Sequence, residues 1–74
     1  MSVTVEQKHT EHYYISMSIE SAAYQNYYYN YYSISVYPLY KDGTAGYAIK
    51  SISYPINEKD KATRTYKRYC KTYN

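Results

Sequence analysis

Apolar and polar residues alternate along much of this chain. In "HYYISMSIE", Ile15, Met17 and Ile19 alternate with Tyr14, Ser16 and Ser18, the period of a strand with one buried side. The stretch "YSISVYPLYKDGTAGYAIKSISYP" predicts a hairpin around Asp42-Gly43, since both positions tolerate the positive φ of a two-residue type I′ turn. That loop sets Val36 opposite Ile49, Ile34 opposite Ser51 and Tyr32 opposite Ser53. Tyr32, Ile34, Val36, Tyr47 and Ile49 then form the expected core face. Tyr31, Ser33, Ser35, Tyr37, Lys50, Ile52 and Tyr54 form the other, and a slip of one residue would exchange the two sets. Pro38 cannot donate to a ladder and marks an edge or a bulge near the turn.

The period changes after Pro55. In "NEKDKATRTYKRYCKTYN", Ala62, Tyr66, Tyr69, Cys70 and Tyr73 share one face at helical spacing, which predicts a helix over about 58–73. Asn57 is the expected N-cap, with Asp60 three residues on. Residues 21–27 fit a turn or one short helical turn equally well. "SVTVE" alternates as well, and residues 1–10 are expected to fray as a terminal strand. Together these elements predict an α+β fold: an antiparallel β-meander of three to four strands packed against one C-terminal α-helix.

Composition changes this picture at one point. The 74 residues make one domain, and a domain of this size buries roughly 60% of the surface that its unfolded chain exposes. It holds one Leu, six Ile and three Val, no Phe and no Trp, but fifteen Tyr. Some tyrosines must therefore enter the core, yet so small a core cannot satisfy fifteen buried hydroxyls. Tyr32 and Tyr47 are the expected core members. Tyr28, Tyr29, Tyr31, Tyr37 and Tyr40 are the expected displayed ones.

Charge divides the chain. Residues 1–57 carry three lysines against four acids, whereas residues 58–74 carry six basic residues against two acids, which gives the net +3. The basic excess lies on the helix, at Lys59, Lys61, Arg64, Lys67, Arg68 and Lys71. Such a patch suits nucleic acid or an acidic protein face.

Candidate chemistry is sparse. His9, Glu11 and His12 in "HTEH" lack metalloprotease spacing and a fourth ligand, so they read as solvated residues rather than a metal site. The single Cys70 excludes an internal disulfide, and its place on the apolar face suits a small hydrophobe better than a nucleophile. There is no Gly-rich phosphate loop, no apolar signal-peptide core at the start and no run long enough to span a membrane. The expectation is a soluble cytoplasmic protein that is not an enzyme and uses no cofactor. Tyrosine with serine and asparagine is the composition of a protein paratope. Rings interleaved with cations can also stack nucleic-acid bases.

In size and layout, "YYSISVYPLYKDGTAGYAIKSISYP" followed by "NEKDKATRTYKRYCKTY" resembles the small phage-encoded anti-CRISPR proteins and other host-takeover inhibitors. The resemblance covers somewhat over half the chain and rests on no shared motif, so no functional residue is carried over from it. Its positive charge departs from the acidic DNA mimics among those proteins. The resemblance implies a non-enzymatic inhibitor in the host-cell cytoplasm that blocks a protein or ribonucleoprotein surface, such as a CRISPR effector. The alternative is a small nucleic-acid-binding protein using the basic helix and exposed tyrosines. No membrane contact is expected, and so thin a core is compatible with a homodimer. The expected contact residues are Tyr29, Tyr31, Tyr37, Tyr40, Arg64, Lys67, Arg68 and Lys71.

Overall fold

The structure is a computed structural model that describes residues 2–74. Four antiparallel strands follow one another in the sheet in chain order: β1 (Ser2–His9), β2 (Tyr13–Tyr24), β3 (Tyr27–Pro38) and β4 (Lys50–Pro55). A single helix, α1 (Lys59–Thr72), closes the chain. The fold is thus the expected α+β meander with one helix. Among the described residues, no helix is long and apolar enough to cross a membrane.

The helix covers one side of the sheet. Ile15 and Met17 of β2 join Tyr32, Ile34 and Val36 of β3, and Ala62 and Tyr66 of α1 close over them. Tyr69, Cys70 and Tyr73 pack around that cluster as the helical spacing predicts. At the edge of the core the Tyr54 and Thr65 hydroxyls bond to each other at 2.6 Å, so neither is left unsatisfied.

The hairpin register is one residue away from expectation. The turn uses three residues, Lys41–Gly43, instead of two. The Gly43 amide donates to the Tyr40 carbonyl, the Tyr40 amide donates to the Thr44 carbonyl, and Gly43 takes a φ of +88°. The Asp42 carboxylate accepts the Thr44 hydroxyl and amide, which hold its pKa below the usual carboxylate range. Residues 46–49 then run irregularly, and β4 enters with Lys50 opposite Val36 and Ile52 opposite Ile34. The faces of β4 exchange accordingly. Ile52 and Tyr54 turn toward the helix, while Tyr47 is 96% exposed and Ile49 50% exposed, so neither belongs to the core. At Gly46 a Cβ would lie 2.5 Å from the Tyr40 hydroxyl, so a larger residue there would displace the exposed Tyr40 ring.

Three further elements differ from expectation or fill a gap. Residues 21–27, left between two readings, continue β2 and turn at Gln25-Asn26 into β3, with Gln25 at φ +55°. "SVTVE" lies inside an eight-residue edge strand with a bulge at Val5. The helix begins at Lys59 with Glu58, not Asn57, at the N-cap. The Glu58 amide is engaged by the Pro55 carbonyl and its carboxylate by Lys61, at 3.0 Å, so the chain turns one residue later.

Candidate interaction surface

Strand alternation decides what lies on the side of the sheet away from the helix, where Ser18 and Ser35 are buried by their neighbours and Ser51 and Ser53 are exposed. Three strands each present a Ser-x-Ser pair on the side away from α1: Ser16 and Ser18, Ser33 and Ser35, Ser51 and Ser53. The register aligns them into two rows across the sheet, Ser16–Ser35–Ser51 and Ser18–Ser33–Ser53. Gln7 and Thr4 of β1 extend these rows. Ser35 and Ser51 approach to 3.2 Å between hydroxyl oxygens. Small side chains in adjacent rows make a low floor.

Tyrosines rise at both ends of that floor. Beyond one row stand Tyr14 and Tyr37, stacked with ring centres 5.9 Å apart, with His9 against Tyr14. Beyond the other stand Tyr31, Tyr29 and Tyr27, a ladder along β3 with 6.0 Å between successive rings. Tyr31 and Tyr37 are six residues apart on one strand, so the walls stand about 20 Å apart. Glu20 lies beside Tyr31 and accepts the Ser18 hydroxyl at 2.9 Å and the Ser2 hydroxyl at 2.8 Å. The strands contribute no lysine or arginine to this side. Lys8 and Lys50 share the helix side, and Lys8 donates to the Cys70 carbonyl near the end of α1.

The expected contact residues therefore fall into two groups. Tyr29, Tyr31 and Tyr37 stand on the open sheet face, and exposed Tyr40 lies beyond its Tyr37 end, in the turn. Arg64, Lys67, Arg68 and Lys71 project from α1 on the opposite side of the sheet, so one flat contact cannot engage both groups. Arg64 and Arg68 instead join Lys61, Thr65 and Tyr54 around a separate groove of 230 Å³. The serine rows, Glu20, Tyr14 and Tyr27 were not singled out from the sequence. The signal for the serines was there, in three strands that each carry Ser-x-Ser.

The β2–β3 hairpin overshoots its neighbours. β1 begins opposite Glu20 and β4 ends opposite Tyr31, so the ribbon from Ser21 to Asn30 projects alone. It accounts for much of the 43 Å length of a molecule only 17 Å thick. Where β4 stops, a notch of 630 Å³ opens against β3, lined by Tyr27, Tyr29, Tyr31, Pro55 and Ile56.

The residues weighed as candidate chemistry, and read as solvated or packed, lie in the β1–β2 turn and against the core. The Thr10 hydroxyl accepts the His12 and Tyr13 amides, which ties the "HTEH" segment into the β1–β2 turn. Among the described residues no group of three His, Cys, Asp or Glu side chains converges. Cys70 is half-buried against the core. No family model, no curated protein and no solved structure matches this chain.

Proposed function

We propose that the protein is a non-enzymatic binding protein that blocks a protein or ribonucleoprotein surface with its open sheet face. The observation behind this reading is a serine floor between tyrosine walls, free of lysine and arginine. Hydroxyls and rigid phenol rings offer adaptable hydrogen bonds and contact area at low entropic cost, which suits a neutral protein surface. Phosphates would find no cation there, and neutralised phosphates dominate nucleic-acid affinity. The floor, about 20 Å between walls, is wide enough for an α-helix of about 10–12 Å diameter laid across the strands. Among ribonucleoproteins, a CRISPR effector is the target class that the resemblance to small phage-encoded inhibitors implies.

The second reading keeps a nucleic-acid site but confines it to α1. Its support is the groove where Tyr54 lies among Lys61, Arg64 and Arg68, one ring with three cations.

The test compares wild type with Ser33→Arg, which fills the floor, and with Arg64→Glu/Arg68→Glu, which reverses the helix charge. Each protein is expressed in cells with an active CRISPR system challenged by phage, and its melting temperature is measured in parallel. Inhibition that survives the helix variant and disappears in a stably folded Ser33→Arg protein supports the open face. Inhibition lost only with the helix charges favours the second reading. Absence of inhibition by the wild type excludes a CRISPR effector of that system as the target.

A further inference from the structure

The edges of the projecting ribbon carry no charge, bulge or proline. Outer strand β1 is kinked by its bulge and turns Glu6 and Lys8 toward the helix side. Outer strand β4 is short, begins at Lys50 and ends at Pro55. Bulges, charges, prolines and short length are the devices that keep sheet edges from pairing with other chains. No bulge, charge or proline occurs between Ser21 and Asn30, and the chain carries no charged residue from Ser21 to Tyr40.

The pleat identifies which backbone groups are free. Tyr24 and Tyr27 close a two-residue loop as partners. In such a loop the closing pair is hydrogen-bonded, so Tyr27, Tyr29 and Tyr31 bond to β2. Even-numbered residues of β3 then point their amides and carbonyls the other way. The Ile49 amide, bonded to the Val36 carbonyl at 2.8 Å, confirms this phase. β4 satisfies these groups up to Tyr32, and beyond Pro55 the outward groups of Tyr28 and Asn30 face the notch.

We infer that the chain forms a two-fold dimer in which the Asn26–Asn30 edge, from the loop into β3, pairs antiparallel with the same edge of a second copy. With the axis at Tyr28, that residue meets its own counterpart. Tyr27 of each copy then faces Tyr29 of the other on the open side. The pairing stops at Asn30 because Pro55 already occupies the place opposite Tyr31. Charge selects the occupant. In an isologous contact a charged side chain on the axis meets its own like charge, and here every candidate residue is neutral. The notch also receives the incoming tyrosine rings against Pro55 and Ile56, which is 43% exposed. Two four-stranded sheets become one of eight strands, and the two serine floors lie on the same side.

Sedimentation equilibrium on the full chain tests this from low micromolar to near-millimolar concentration. The expected mass rises from 8.8 kDa toward twice that value. Asn30→Pro removes an outward amide and leaves the backbone bonds to β2 in place, at the loss of one exposed bond from the Ser21 hydroxyl to the Asn30 side chain, because an edge strand tolerates proline where its amide faces solvent. Tyr28→Lys sets two like charges on the axis at a side chain that is 79% exposed in the monomer. Each variant is expected to weaken dimerisation at least about tenfold while keeping the wild-type melting temperature at low concentration, with Tyr28→Lys partly recovering in high salt. A wild type that stays monomeric throughout overturns the inference and leaves the edge to a strand from a different protein. Dimerisation unchanged in both variants places the contact elsewhere and overturns it too.

Discussion

Gly43 and Tyr66 each hold a conformation or a protonation state that few other residues would support. Gly43 sits at φ +88° with no atom near the position of a Cβ. Gly43→Ala therefore meets backbone strain but no clash, and urea unfolding should show a loss of about 1 kcal/mol. Tyr66 is buried against the core beside Cys70. Burial first, and then the Cys70 thiol, push its phenol far above the usual range. The folded state thus holds this proton more tightly than the unfolded chain does. Its contribution to stability is complete below the unfolded value of about 10 and is lost as pH rises beyond it. Urea midpoints should fall progressively as pH rises above about 10, and Tyr66→Phe, which has no proton to lose, should flatten that slope.

At the scale of elements, the register of β4 makes the most discriminating prediction. Ile52 packs against the core and Ile49 does not. Ile52→Ala should cost about 2 kcal/mol, whereas Ile49→Ala should change stability by less than about 0.5 kcal/mol. A two-residue turn would reverse that order, and thermal or urea unfolding of the two variants decides between them. The pattern of β2, the inner part of β3 and the helix face were legible in the sequence because side chains there repeat with the element's own period. Ile15, Met17, Ile34, Val36, Ala62 and Tyr66 were all readable on that basis. The register of β4 was not, because Asp42-Gly43 serves a three-residue turn as well as a two-residue one. The choice between them depends on how residues 46–49 pass Tyr40 and Pro38. Ser21 to Tyr24 carried no clear period since both faces of the ribbon are exposed, and burial is what writes a pattern into a strand. The candidate site was legible in its tyrosines but not in its arrangement. Only the sheet puts Tyr31 and Tyr37 at opposite ends of one floor, and Arg64 and Arg68 behind it.

Over the whole molecule, the sheet separates a face without lysine or arginine from a basic one, and the two should be separable in function. Once a target is in hand, Tyr31→Ala or Tyr37→Ala should weaken its binding by about 2 kcal/mol, as truncated aromatic anchors do. Arg64→Ala with Arg68→Ala should weaken it by less than about 0.5 kcal/mol, as exposed charges at a rim do. Calorimetric titration of the stable variants measures both, and equal losses would mean that the partner wraps around an edge of the sheet. The tyrosine ladder also has an optical consequence. With rings 6.0 Å apart and no tryptophan in the chain, excitation absorbed at Tyr27, Tyr29 or Tyr31 migrates among phenols and leaves as depolarised ultraviolet emission. A partner that brings an indole onto this face would collect that energy and re-emit it at longer wavelength, so the protein carries its own reporter of occupancy without a dye.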